Sequence, residues 1–124
     1  MSRVLRVVVA DDDDPVRELV AVWLEQLGHA VTPVRGGEEL VEACRAAPPD
    51  LVVSDVRMPG TDGLSAAAVV RAEFGLPVVL MSGAWSAEQE ARADALRVTR
   101  LQKPVRPLEL VRAVDEAVRV GDGR

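Results

Sequence analysis

Five apolar runs alternate with five stretches of helical pattern along 124 residues, and this alternation restricts the possible folds more than any other feature. Residues 4–10, "VLRVVVA", are apolar apart from Arg6 and read as a buried strand. Val16, Leu19, Val20, Trp23, Leu24 and Leu27 then recur at the three-and-four spacing of one helix face. Asp14 is the expected N-cap there, with Pro15 at the first helical position and Gly28 as terminator. The pattern continues with a short strand at 29–34, a helix at 37–47 closed by Pro48 and Pro49, and a buried strand at 50–55. Turn-forming "MPGTDG" at 58–63 leads into an alanine-rich helix at 64–74 ended by Gly75, and a fourth strand follows at 77–83. Residues 86–96, "SAEQEARADAL", favour a helix but offer only an alanine-lined face, so this helix is expected to be the least firmly packed. A weak strand at 98–102 precedes a last helix from near Pro107, with Leu110, Val111, Val114 and Val118 inward and a frayed tail at 120–124.

A strand-then-helix unit repeated five times implies an α/β fold, a parallel sheet with helices on both faces joined by right-handed crossovers. The expected architecture is a flavodoxin-like doubly wound sheet of five strands in the order 2-1-3-4-5 with five helices. One domain over residues 1–124, with no output domain, suits this length and a 48% hydrophobic content. No apolar stretch reaches membrane-spanning length and the first residues lack a secretory h-region, so a cytoplasmic location without membrane contact is expected. A single cysteine, Cys44, and a single histidine, His29, exclude an internal disulfide and a Cys/His zinc site, so any metal must be held by oxygen. Cys44 is expected to face the core and His29 to sit at a strand entrance. Twenty acidic against fifteen basic residues, with two Trp, one Phe and no Tyr, argue against a nucleic-acid surface. Among the basic residues only Lys103 is a lysine, which makes its position worth explaining.

In open parallel sheets ligands bind beyond the carboxyl ends of the strands, where the strand order reverses. The first strand ends at Asp11 and Asp12, the third at Asp55, the fourth at Ser82 and the fifth at Lys103, all on one edge of the sheet. Three carboxylates in one cleft repel each other and favour a proton or a hard cation such as Mg²⁺. A carboxylate beside that ion can act as a nucleophile towards a phosphoryl group, while an ammonium and a hydroxyl stabilise charge on its oxygens. Asp55, Lys103 and Ser82 are the right chemical types for these three tasks. Any one of them alone reads equally well as a turn residue, a surface lysine or a local hydrogen bond, and an acidic run before a helix often serves only its cap.

Through "ADDDDPVREL", "PDLVVSDVRMPGTDGL", "LPVVLMSG" and "LQKPV" the chain resembles the receiver domains of two-component response regulators, nearly end to end. The resemblance implies a phosphoacceptor switch: a sensor histidine kinase donates to Asp55, Asp12 and Asp55 ligate Mg²⁺ directly, Asp11 acts through water, and the Arg57 carbonyl completes the protein ligands. Lys103 then contacts the phosphoryl group and Ser82 follows it. The implied consequence is a changed protein-binding face around the fourth helix, fifth strand and fifth helix. A cis Lys103–Pro104 bond is implied too. An ungapped match on the first strand and "VREL" selects Asp11 and Asp12 as the acidic pair and leaves Asp14 for the cap, whereas a match on Pro15 would select Asp12 and Asp13.

Departures from the family pattern concern the signalling half. An aromatic residue is common three positions before the lysine, where this chain has Arg100, and Leu96 and Arg97 stand in place of a usual Gly-Ala pair, so the fourth helix and fifth strand are expected to be reshaped. Trp85 either supplies the missing bulk or simply covers its loop. Two alternatives follow. One is a pseudo-receiver that binds partners independently of phosphorylation. The other is a small aspartate-nucleophile phosphohydrolase built on the Asp11-x-Asp13 pattern, against which Asp14, Pro15 and the lack of a cap domain speak.

Overall fold

The computed structural model describes residues 3–121. Strands β1 (Arg6–Ala10), β2 (Ala30–Val34), β3 (Leu51–Asp55), β4 (Val78–Ser82) and β5 (Thr99–Gln102) form one parallel sheet in the order β2-β1-β3-β4-β5. Helices α1 (Asp14–Gln26), α2 (Gly37–Ala46), α3 (Gly63–Phe74), α4 (Ala87–Leu96) and α5 (Pro107–Gly121) connect or follow them. This is the expected flavodoxin-like arrangement, with element bounds within two residues of the pattern. The predicted frayed tail is helical through Gly121, and its remaining residues, 122–124, lie outside those described. Among the described residues no helix is long and apolar enough to cross a membrane.

The two faces of the sheet divide the core by the period of two that a strand imposes. Val8, Ala10, Val52, Val78 and Leu80 pack with Leu40, Val41 and Cys44 of α2, Leu64 and Val70 of α3 and Ala93 of α4. Val7, Val9, Leu51, Val53, Val79 and Met81 pack with Val20 and Leu24 of α1 and with Leu110, Ala113, Val114 and Ala117 of α5. Every residue of β3 and β4 is buried, as continuous apolar runs in a covered parallel sheet require. Cys44 is buried, and burial pushes its thiol up to about 11, so it is an inert core side chain. His29 stands at the entrance to β2, where Nδ1 accepts a hydrogen bond from the Leu5 amide at 3.0 Å.

Three expectations need correction. The N-cap of α1 is Asp13, whose Oδ1 accepts from the Val16 amide at 3.2 Å; Asp14 already lies inside the helix, followed by Pro15. Leu19 and Leu27 were expected inward but are 47% and 44% exposed, because Val20 and Leu24 already fill the narrow stripe that a helix lays on a sheet. The α4–β5 segment also keeps its regular form: α4 ends at Leu96, Arg97 takes the left-handed conformation (φ 59°) that a glycine would adopt freely, and β5 pairs with β4 in register from Val79↔Thr99 to Ser82↔Gln102. As the alanine-lined pattern predicts, α4 contributes only Ala93 to the buried core.

Candidate functional site

The order β2-β1-β3 places the ends of β1 and β3 side by side, since Ala10 pairs with Ser54 and Asp55 pairs with Met81 of β4. The acidic loop after β1 is held from two sides. Its Asp11 amide donates to the Val34 carbonyl at 3.2 Å, and Asp11 Oδ1 accepts from the Asp13 amide at 3.0 Å. One oxygen from each of Asp11, Asp12 and Asp55 lies within 4.8 Å of the others. Asp11 and Asp55 are buried whereas Asp12 is exposed, so the cluster is open on one side. Asp13 is not among them, because its carboxylate serves the helix cap. The structure thus gathers the ungapped pair rather than Asp12 and Asp13, and the hydrogen bond of Asp13 leaves the Asp-x-Asp pattern without its second member in the cleft.

Lys103 reaches the same cleft from the far side of β4. Its Nζ lies 3.2 Å from Asp11 Oδ2 and 3.3 Å from Asp55 Oδ1. The backbone delivers it there: the Lys103 amide donates to the Ser82 carbonyl at 2.9 Å, and the following bond to Pro104 is cis, as implied. Ser82 is fully buried, and its Oγ accepts from the Ala84 amide at 3.1 Å. Arg57 is exposed on the loop after Asp55, where it lines a cavity of about 380 Å³ with Val56, Met58, Pro59, Asp62 and Gln89.

Burial raises the Asp55 carboxyl above the ordinary carboxylate range, the charge of Asp11 raises it further, and Lys103 only partly opposes them. For Lys103 burial works downward, but attraction to Asp11 and Asp55 outweighs it and the ammonium is held above its usual value. One ammonium is therefore shared between two of three carboxylates, and acidic repulsion is left over for a further cation to relieve.

The sequence model of the response regulator receiver domain family matches residues 7–115. The chain belongs to that family. CseB, a transcriptional regulatory protein of Streptomyces avermitilis, is 38% identical over 98 residues, covering 79% of this chain and 38% of CseB. The DNA-binding response regulator MtrA of Mycobacterium tuberculosis is 30% identical over 126 residues, covering 94% of this chain and 52% of MtrA. This receiver domain therefore spans about half the length, or less, of these two curated relatives. The signal receiver domain of a modulated diguanylate cyclase from Desulfovibrio desulfuricans superposes with a TM-score of 0.87 at 27% identity, covering 97% of this chain and 98% of that one.

Two residues of the receiver's cleft escape sequence reasoning. Arg17 is buried although charged; its guanidinium donates to the Asp11 carbonyl at 2.9 Å and to Asp14 Oδ1 at 2.6 Å, so it braces the acidic loop from inside. Its i,i+3 spacing from Asp14 is visible in the sequence, but its reach to the main chain of Asp11 is not. Gly63 opens α3 directly against the Asp55 carbonyl, which a Cβ would strike, and its amide donates to the Val56 carbonyl at 2.8 Å. The dense turn formers of "MPGTDG" were the signal for that close approach.

Proposed function

We propose that this receiver domain is a cytoplasmic phosphoacceptor switch in which Asp55 takes a phosphoryl group from a sensor histidine kinase. What supports this most is the meeting of Asp11, Asp12 and Asp55 within 4.8 Å while Lys103 Nζ stands 3.2 and 3.3 Å from two of them. An oxygen-only donor set with surplus negative charge fits Mg²⁺, which Asp12 and Asp55 would hold together with the Arg57 carbonyl, with Asp11 in support. When bound, the ion neutralises charge on the phosphoryl oxygens and favours the ionised form of Asp55.

An Asp55 carboxylate oxygen attacks the phosphorus of a phosphohistidine; the phosphorus–nitrogen bond breaks and its electron pair stays on the imidazole, which is protonated by solvent. Lys103 stabilises the charge that spreads over the phosphoryl oxygens, and the Ser82 hydroxyl donates to one of them afterwards. The added charge then shifts a two-state equilibrium on the α4–β5–α5 face, which is read by a protein partner. Incubation with acetyl phosphate and Mg²⁺ is expected to add one phosphoryl mass to the parent and none to Asp55→Asn. An unmodified parent, or a variant modified as fully as the parent, refutes the reading. Arg100 on that face favours a second reading, a binding module indifferent to phosphorylation; it gains ground if the adduct forms and partner affinity does not change.

A further inference from the structure

We infer that Arg100, stacked on Trp85 and paired with α4, is a latch that holds this helix on the sheet and is tied to the acidic cleft through the Ser82 loop. The guanidinium carbon of Arg100 lies 5.7 Å from the Trp85 ring centre, within cation–π range. Its Nη1 is 3.0 Å from Glu90 Oε2 and its Nη2 3.7 Å from Asp94 Oδ1, so one β5 side chain grips successive turns of α4. Trp85 is fixed in turn. It is half-buried against the core cluster to which α2, α3 and α4 contribute, and its Nε1 donates to the Leu101 carbonyl at 2.9 Å.

The loop that carries Trp85 begins at Ser82. Within four residues it holds the Ser82 Oγ to Ala84 amide bond, the Gln102 Nε2 to Gly83 carbonyl bond at 2.9 Å and the Trp85 bond to Leu101. A change at Ser82 therefore reaches β5 at two points, and β5 reaches α4 through Arg100. Because α4 buries only Ala93, these polar contacts carry an unusual share of its attachment. Release of the latch rests on the phosphoacceptor reading: a Ser82 hydroxyl drawn to a phosphoryl oxygen on Asp55 gives up its position under the Ala84 amide, and the support beneath Trp85 shifts.

The test separates the latch from its trigger. In the unphosphorylated 124-residue chain, Arg100→Met should speed amide exchange in α4 by roughly three- to thirtyfold, the factor expected for an exposed ion pair together with a cation–π contact. Exchange in β3 and α5 should not change. The exchanged pair Glu90→Arg with Arg100→Glu should recover part of the protection, because it restores the ion pair but not the contacts of position 100 with Trp85 and Asp94; this recovery also controls for misfolding of a single variant. Equal α4 exchange in parent and Arg100→Met overturns the latch. In a Trp23→Phe background, where Trp85 is the only indole, a mass-confirmed acetyl phosphate adduct should alter Trp85 emission and loosen α4; an adduct with neither change overturns the trigger. Absence of any adduct refutes the phosphoacceptor reading and the trigger with it, while the unphosphorylated comparison still decides the latch.

Discussion

Helices α4 and α5 both flank β5, yet they are attached by different forces. α5 sets Leu110, Ala113, Val114 and Ala117 into the core, an attachment that is apolar and not weakened by charge screening. α4 buries only Ala93 fully, with Leu96 half-buried at its end, and relies more on directional polar contacts: Arg100 to Glu90 and Asp94, and Arg71 of α3, whose Nε donates to the Leu96 carbonyl at 3.0 Å while its Nη1 donates to the Leu76 carbonyl at 2.9 Å. The contrast teaches where a small stimulus can act. A contact of about 1 kcal/mol is small against the combined burial of Leu110, Ala113, Val114 and Ala117 but comparable with what holds a helix by its charges.

The largest effect expected from this contrast is in the core. Leu110→Ala should lower the unfolding free energy by about 2–5 kcal/mol, whereas Leu96→Ala, at the half-buried end of α4, should cost clearly less. Denaturant midpoints at unchanged slope measure both. Equal losses would break the comparison, since α4 would then be held by apolar burial like its neighbour.

The next effect is smaller, because it involves one charge whose repulsion Lys103 partly offsets. Asp55 ionises less readily in the fold than in the unfolded chain, so its negative charge weakens the native state at neutral pH, and this loss disappears as pH falls through the raised folded value towards the ordinary one. Asp55→Asn should therefore be more stable than the parent at neutral pH, with the gap closing on acidification and on addition of Mg²⁺. The Lys103 contribution runs the other way along the scale: it is complete below the ordinary lysine value and is lost as pH rises through the higher folded value. A variant less stable than the parent at neutral pH would mean that attraction to Lys103 outweighs burial and the neighbouring acids. Thermal unfolding of both proteins across the acid range decides this.

The parallel sheet and the positions of Asp11, Asp12, Asp55, Ser82 and Lys103 at one of its edges were legible in the sequence, because apolar periodicity fixes the alternation and the alternation fixes the edge; the strand order was one choice among the few topologies that right-handed crossovers leave. The cap of α1 was not. In "DDDD" any of several aspartates can accept from a helix amide, and only the path of the backbone after Asp11 decides for Asp13. Arg17 was hidden because a charged side chain reads as solvent-facing until its partners, a main-chain carbonyl and Asp14, are known. At the other end of the sheet, Arg100 could be recognised as a departure from the family pattern, but its partners Trp85 and Glu90 lie 15 and 10 residues away in sequence and meet it only through the fold.

The smallest effect lies where α4 turns into β5. Arg97 adopts a left-handed backbone (φ 59°) at the helix end, its amide donating to the Asp94 carbonyl at 3.0 Å, and that conformation is unfavourable for a residue with a Cβ. Arg97→Gly removes the strain of about 1–2 kcal/mol but gives the unfolded chain more freedom to lose, about 0.4–1 kcal/mol. The difference should be a net gain of about 0.8 kcal/mol, within a span of about 0–1.6 kcal/mol, read as a higher denaturant midpoint. Since the strain sits in the segment that closes α4, the gain should appear as slower exchange in α4 more than in α5. A stabilised protein with α4 exchange unchanged would show that this turn and the helix before it open independently, and that the polar contacts of Arg100 and Arg71, rather than the turn, set how often α4 leaves the sheet.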